Sequence, residues 1–139
     1  MPSFFMAIQL RRKDKTFIDV SLAFEPNPIT SDLTVLLDDR AINNAMKNLI
    51  LIAPLEVPFD RDIGSRTREF LFDLIDPGTA GLLQVEIERT IKFGEPRVEL
   101  QAVIVDPRPD ENHFMVTVIY KIIGFEEVFT VNQILQPTR

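Results

Sequence analysis

The chain has 139 residues, of which 45% are hydrophobic and 26% are charged, and its formal net charge is −6. This size suits one domain with a core of its own, and the acidic balance disfavours nucleic-acid binding because phosphate backbones repel a negative surface. The sequence contains no cysteine, which excludes disulfides, thiolate zinc sites and cysteine nucleophiles.

The first ten residues are apolar, and a basic cluster, RRKDK at 11–15, follows them. A secretory signal has the opposite order, and no apolar run approaches the roughly 20 residues needed to span a bilayer. Asp14 interrupts the basic cluster, which is typical of a solvated turn. We therefore expect an N-terminal extension over 1–16, a single domain over 17–139, and no contact with membrane or nucleic acid.

Three short segments come next. Residues 17–24 alternate apolar and polar side chains, which predicts a half-buried strand. The two prolines within 25–32 predict a loop. Residues 33–37 fit either a short strand or an extended lead-in.

From 38 to 52 the apolar side chains fall at helical spacing, which predicts a helix capped by Asp38 or Asp39. This helix should end before Pro54, because proline disfavours the α conformation in the residue before it. Its predicted core-facing residues are Ile42, Ala45, Met46, Leu49 and Ile50.

A connection over 53–64 contains two prolines and a glycine. A connection of that length usually has a function or packs its own side chains. We predict that Val57 and Phe59 pin it to the core. Gly64 should meet a backbone requirement before Ser65, which caps the following helix.

Two helices are predicted next, over 66–75 and 80–93, with Thr79 at the start of the second. Gly94 stands where a left-handed residue commonly ends a helix. The predicted inward side chains of the first helix are Phe70, Leu71 and Leu74.

Three strands, over 97–105, 113–123 and 126–135, complete the chain. Short connections between consecutive strands favour antiparallel pairing. Helices followed by strands indicate an α+β fold, with an antiparallel sheet of three or more strands, mainly C-terminal, and helices packed on one face. The predicted core face of the first of these strands is Val98, Leu100, Ala102 and Ile104, and the apolar face of the second is Phe114, Val116, Val118, Tyr120 and Ile122.

No catalytic, metal or cofactor site is predicted. His113 is the only histidine, so neither a catalytic triad nor a multi-histidine metal site has support. Two carboxylates can cleave a glycosidic bond if one stays protonated. Candidates are Glu56, Asp60, Asp62 and Glu95. Arg61 lies between Asp60 and Asp62, and Arg97 lies two residues after Glu95. A nearby cation favours the ionised form of a carboxyl group, the opposite of what a general acid needs.

Two stretches, NLILIAPLEVPFDRDIGSRTREFLFD at 48–73 and EIERTIKFGEPRVEL at 86–100, resemble the baseplate wedge proteins of contractile phage tails. The resemblance runs from about Phe17 to the C terminus, and the upstream segments FIDVSLAF and DRAINNAMKNLIL also resemble the T4-like branch. Relatives occur in type VI secretion baseplates, and the family has been labelled lysozyme-like. One departure is Leu55-Glu56, where relatives usually have Gly-Glu, so the glycine expected to form a tight turn is missing.

The resemblance implies a structural role in the virion tail baseplate, assembled in the host cytoplasm, with several copies in a symmetric particle. The implied partners are other wedge proteins and the tail sheath protein. Glu95, Pro96 and Arg97 would dock on helical wedge subunits, and the last strand would offer an edge for sheath assembly. Further candidate partner contacts are Pro58, Phe59 and Gly64.

Simple chemistry agrees with a docking role, since proline fixes φ and arginine presents a rigid fork to carboxylates. A plain alternative is an ion pair that stiffens a helix-to-strand joint. At the level of function, the alternatives are a muramidase-like hydrolase acting on the cell wall, a small binding module on the same fold, and a type VI secretion component.

Overall fold

The computed structural model describes residues 17–21, 25–26, 28–29, 31–32 and 35–137. The elements in chain order are β1 (Ile18–Val20), β2 (Val35–Leu37), α1 (Asp38–Leu51), α2 (Thr67–Phe70), α3 (Pro77–Gly94), β3 (Val98–Arg108), a 3-10 turn (Pro109–Glu111), β4 (His113–Ile122) and β5 (Val128–Leu135). The predictions for 1–16 and for the end of the first strand, at 22–24, concern residues outside the described ranges.

Within the described residues the strands form two antiparallel sheets. β1 pairs with β2 in a two-stranded ribbon, and β3, β4 and β5 form a three-stranded sheet with β4 in the middle. The helices pack against the larger sheet. The predicted α+β class and the antiparallel C-terminal sheet are therefore confirmed.

The core lies between β4 and the helices α1 and α3. The predicted inward side chains of β4 are all buried, namely Phe114, Val116, Val118, Tyr120 and Ile122. Complete burial of such an apolar side chain contributes roughly 1.5–3 kcal/mol to folding. The Tyr120 hydroxyl donates a 2.5 Å hydrogen bond to Oδ1 of Asn43, which ties α1 to the central strand. Burial raises the pKa of Tyr120 to about 12.

β3 departs from strict alternation because it contains a β-bulge. The pairing with β4 shifts between Leu100 and Ala102, so Gln101 is an extra residue without a partner on β4. An extra residue reverses which face each later side chain occupies. Val103 is consequently buried, whereas Ile104 is 52% exposed. The predicted core face of this strand is wrong beyond the bulge.

The starts of α1 and α3 differ from the predictions. α3 begins at Pro77, before Thr79, because the Asp76 carboxylate accepts the Thr79 N–H at 2.7 Å and so caps the helix. Proline suits the first helical position, where no N–H partner is needed. Neither predicted acid caps α1; Oδ1 of Asp38 instead accepts the N–H of Phe17 at 3.2 Å.

The helix predicted over 66–75 is a single turn, α2, followed by irregular turns. Phe70 and Leu71 pack on the core as predicted, but Leu74 is 76% exposed. A short segment with few buried side chains lacks the tertiary packing that sustains a helix. The Ser65 hydroxyl accepts the N–H of Thr67 at 3.1 Å and supports the start of this turn.

Gly94 is the last residue of α3 and does not have the predicted left-handed backbone. A Cβ atom at this position would overlap both methyl groups of Leu49 on α1. The glycine is therefore required by the close approach of two helices.

The connection over 53–64 closes on itself and is called the Ω-loop below. At its base the Ser65 N–H donates to the Ile52 carbonyl at 2.8 Å. Gly64 has φ of 135°, and a Cβ there would lie 2.7 Å from the nitrogen of Pro54. The predicted backbone requirement at Gly64 is confirmed.

The Ω-loop begins with a tight turn despite the missing glycine. The Glu56 N–H donates to the Ala53 carbonyl at 3.2 Å, with Pro54 second and Leu55 third in the turn. Leu55 has φ of 72°. Proline followed by a left-handed residue is the pattern of a type II turn, where glycine is favoured in third place. Leucine there costs roughly 1–2 kcal/mol.

Two alanine substitutions in α3 should change stability in opposite directions. Gly81→Ala adds a methyl group with no neighbour within 4 Å, so the better helix propensity of alanine should raise the free energy of unfolding by up to about 1 kcal/mol. Gly94→Ala should lower it by roughly 1–3 kcal/mol, because Leu49 must move. Urea unfolding measures both, and equal effects would contradict the proposed helix contact.

Leu55→Gly should raise the free energy of unfolding by up to about 1 kcal/mol, because glycine adopts positive φ without strain. Leu55→Ala is the matched control, since it removes the 71% exposed side chain but keeps Cβ. Thermal unfolding should separate glycine from alanine. If the two variants were equally stable, backbone strain at this position would be ruled out.

Candidate functional site

The predicted docking triplet forms the joint between α3 and β3. This joint, Glu95-Pro96-Arg97, is called the elbow. Its backbone is anchored at both ends: the Glu95 N–H donates to the Ile91 carbonyl at 3.0 Å, and the Arg97 carbonyl accepts the N–H of Ile123 at 2.9 Å. The elbow therefore has a fixed direction relative to both the helix and the sheet.

Glu95 and Arg97 bind each other through two parallel contacts. Nε of Arg97 lies 2.6 Å from Oε1 of Glu95, and Nη2 lies 2.7 Å from Oε2. The Glu95 side chain is 6% exposed and that of Arg97 is 28% exposed. The hydrogen bonding that Arg97 donates to the Glu95 carboxylate is the main reason why the pKa of Arg97 is raised. Bidentate geometry makes such pairs strong and directional.

The elbow also holds the N-terminal ribbon. The Arg97 guanidinium lies 5.6 Å from the centre of the Phe17 ring, in the range of a cation–π contact. The charge of Asp19 also acts on Arg97 and raises its pKa further. Glu95 is thus covered, and the surface that the elbow offers to a partner consists of exposed Pro96 and the outer part of Arg97.

The tip of the Ω-loop points into solvent. Phe59 is 109% exposed and has φ of 69°, so the prediction that it pins the connection to the core is wrong. The contacts at the base of the Ω-loop already hold it, which makes an apolar anchor unnecessary. Pro58 is also exposed and Val57 is half-buried. An open depression of about 630 Å³ is lined by Leu55, Val57, Pro58, Phe59 and Arg61.

A second depression, of about 280 Å³, lies between the returning half of the Ω-loop and the end of α3. Gly64 and Gly94 both line it, so the structure brings the Ω-loop and the elbow to the same end of α3. Phe93, which is 84% exposed, lines it as well and was not predicted as a site residue. The buried stripe of α3 includes Ala80, Leu83, Ile87 and Ile91, and the position of Phe93 outside this stripe was the available signal.

β5 is an edge strand of the larger sheet. It pairs with β4 on one side, and no strand in the described part of the chain pairs with its other side. Val131 and Leu135 point into the core, whereas Val128 and Ile134 are 56% and 51% exposed.

Other classes of site find no support among the described residues. Within 17–21, 25–26, 28–29, 31–32 and 35–137, no cluster of three acidic or histidine side chains could hold a metal ion. No helix in those ranges is long and apolar enough to cross a bilayer. His113 stands at the β3–β4 hairpin, with Nε2 3.4 Å from a carboxylate oxygen of Glu111.

Comparison with known proteins identifies the family to which the chain is similar. Residues 31–125 match the family described as baseplate wedge protein gp25. Baseplate wedge protein gp25 of Enterobacteria phage T4 is 29% identical over 92 residues, which are 66% of this chain and 70% of that protein.

Two solved structures share the fold. One is a Geobacter sulfurreducens protein solved under the name of a tail lysozyme; the TM-score is 0.63 at 22% identity, over 70% of this chain and 89% of that chain. The other is a chain of the anti-feeding prophage baseplate; the TM-score is 0.62 at 17% identity, over 91% and 90% of the two chains. Since the family match spans most of the sequence, the chain belongs to the baseplate wedge protein gp25 family.

Proposed function

We propose that this chain is a structural subunit of the phage-tail baseplate that bridges the wedge scaffold and the first layer of the sheath. It acts by surface recognition, without catalysis and without a cofactor. Several copies take part in a symmetric assembly that forms in the host cytoplasm and remains in the virion. The proposal rests on the family membership, and the outer edge of β5 is the structural observation that carries it.

The two edges of the larger sheet differ in a way that supports strand addition at β5. β3 carries the bulge at Gln101 and a proline at 107, and both interrupt regular pairing along an edge. β5 has no proline and no register shift over Val128–Leu135. A regular edge can accept a strand from another protein through backbone hydrogen bonds. Glu126 and Glu127 precede it and discourage indiscriminate pairing.

The elbow is the proposed contact with the wedge core. Glu95 holds the Arg97 fork in one orientation, and the exposed part of that fork can meet a carboxylate on a partner helix. Pro96 adds an exposed, rigid ring at the apex. Among the Ω-loop residues, Gly64 shapes the backbone, whereas Pro58 and Phe59 are exposed and can reach a partner directly.

A muramidase-like hydrolase is the alternative, because one structural relative bears the tail lysozyme name. Glycoside cleavage needs a protonated carboxyl group near an ionised one. The one buried carboxylate among the described residues, Glu95, has both of its oxygens bound to the Arg97 guanidinium, so neither is available to a substrate. Digestion of peptidoglycan by the purified chain, lost in Glu95→Gln, would favour the hydrolase.

A charge added at the elbow should block assembly without unfolding the protein. Pro96→Glu places a negative charge where a partner carboxylate is expected, and because Pro96 is exposed the free energy of unfolding should change by less than about 0.5 kcal/mol. Incorporation into purified baseplates should fall at least about tenfold. Pro109→Glu, at an exposed proline of the β3–β4 hairpin, is the matched control and should assemble normally.

Normal incorporation of Pro96→Glu would refute the elbow contact. Arg97→Ala is a less clean test, because it leaves the buried Glu95 carboxylate without its cation and so destabilises the fold itself.

Lysines on the solvent face of β5 should yield baseplates that lack sheath. The double variant Val128→Lys/Ile134→Lys changes two exposed side chains, so the fold should persist while edge pairing is discouraged. Ile104→Lys, at a 52% exposed position of the opposite edge strand, is the control. Electron microscopy of tails reads out the sheath, and sheathed tails from the double variant would refute strand addition at β5.

A further inference from the structure

The Ω-loop has features that neither the elbow nor β5 explains. Leu55 and Phe59 both hold the left-handed conformation, with φ of 72° and 69°, which is strained for residues other than glycine. Their side chains are 71% and 109% exposed, so the fold buries little apolar surface in return. Strained backbone combined with large exposed apolar side chains is typical of binding sites.

The charges of the Ω-loop leave one cation available. Glu56 pairs with Arg68 at 3.4 Å, and Asp60 accepts a backbone hydrogen bond within the loop at 3.2 Å. Arg61 is exposed and forms no ion pair with the residues that the structure describes. An exposed phenylalanine close to an available arginine is the composition of interface hot spots.

The shape of the Ω-loop indicates what it can hold. The depression of about 630 Å³ is lined by the apolar residues Leu55, Val57, Pro58 and Phe59 and by Arg61. An apolar side chain suits the walls, and a carboxylate next to it suits the guanidinium.

We propose that the Ω-loop is a second protein-docking site, separate from the elbow and from β5. It takes a segment of another baseplate subunit in which an apolar side chain enters the depression and a neighbouring Asp or Glu pairs with Arg61. Phe59 is the apolar anchor of this contact. The inference rests on the proposed role as a baseplate subunit and adds the chemistry of one partner segment.

Phe59→Asn separates docking from folding. Asparagine adopts positive φ more readily than phenylalanine, and the ring it replaces is fully exposed, so the isolated protein should be at least as stable as the wild type. In competition with wild-type chain, incorporation into baseplates should fall about tenfold or more. Phe72→Asn, at a 72% exposed phenylalanine outside the loop, should stay within about twofold. If Phe59→Asn entered baseplates as well as the wild-type chain does, the inference would be overturned.

A photocrosslinker identifies the partner segment. Benzoylphenylalanine at position 59 of the full chain is irradiated in assembled baseplates, and the crosslinked peptide is read by mass spectrometry. We expect a peptide of another subunit with Asp or Glu beside the attachment point. Reversing that acid to lysine should restore incorporation of Arg61→Glu. A crosslink to a second copy of this chain, or to a segment without an acid, would overturn the inference.

The outcome also separates this inference from the proposed function. If the wild-type chain is absent from purified baseplates, the proposed function itself fails. If the chain is present and its β5 variant loses the sheath, while position 59 crosslinks to nothing, only the Ω-loop inference fails.

Discussion

The ion pair between Glu95 and Arg97 connects the helical half of the molecule to the sheet. An exposed pair of this kind contributes only about 0–1 kcal/mol, but here the carboxylate is buried and held by two parallel contacts. The same guanidinium reaches the Phe17 ring, so one side chain orients α3, β3 and the N-terminal ribbon. The elbow is therefore both a structural joint and a surface with a fixed direction. The simpler alternative, an ion pair that stiffens a helix-to-strand joint, explains part of its charge pattern.

The end of α3 determines where the other surfaces lie. Gly94 lets α1 approach α3 closely, and the returning half of the Ω-loop lies against the same helix end. The elbow and the Ω-loop consequently flank one region of the molecule, while β5 forms the far edge of the sheet. This separation suits a subunit that contacts different neighbours with different faces.

Local periodicity correctly predicted those features that follow from the spacing of apolar side chains within one element. The alternation of β4 identified five buried side chains correctly, because the strand lies in the middle of the sheet and has no bulge. A glycine is required at position 94 because of the contact with Leu49, which is distant in sequence. The bulge at Gln101 depends on the pairing of β3 with β4. Neither can be read from a window of residues.

The candidate site was predicted mainly through the family resemblance. Local patterns suggested that Phe59 is a core residue, because apolar side chains are usually buried, whereas the structure leaves it fully exposed at the tip of the Ω-loop. The left-handed backbone of Leu55 was also not predicted, although the glycine that relatives usually have at this position was a signal for it.

Tyr120 has a practical consequence. The sequence contains one tyrosine and no tryptophan, so the near-ultraviolet signal of the chain is dominated by a single ring. That ring is hydrogen-bonded to α1 and stacked on Phe129 of β5, with centroids 5.7 Å apart. The near-ultraviolet signal of Tyr120 therefore reports on the packing of α1, the central strand β4 and the edge strand β5 against one another.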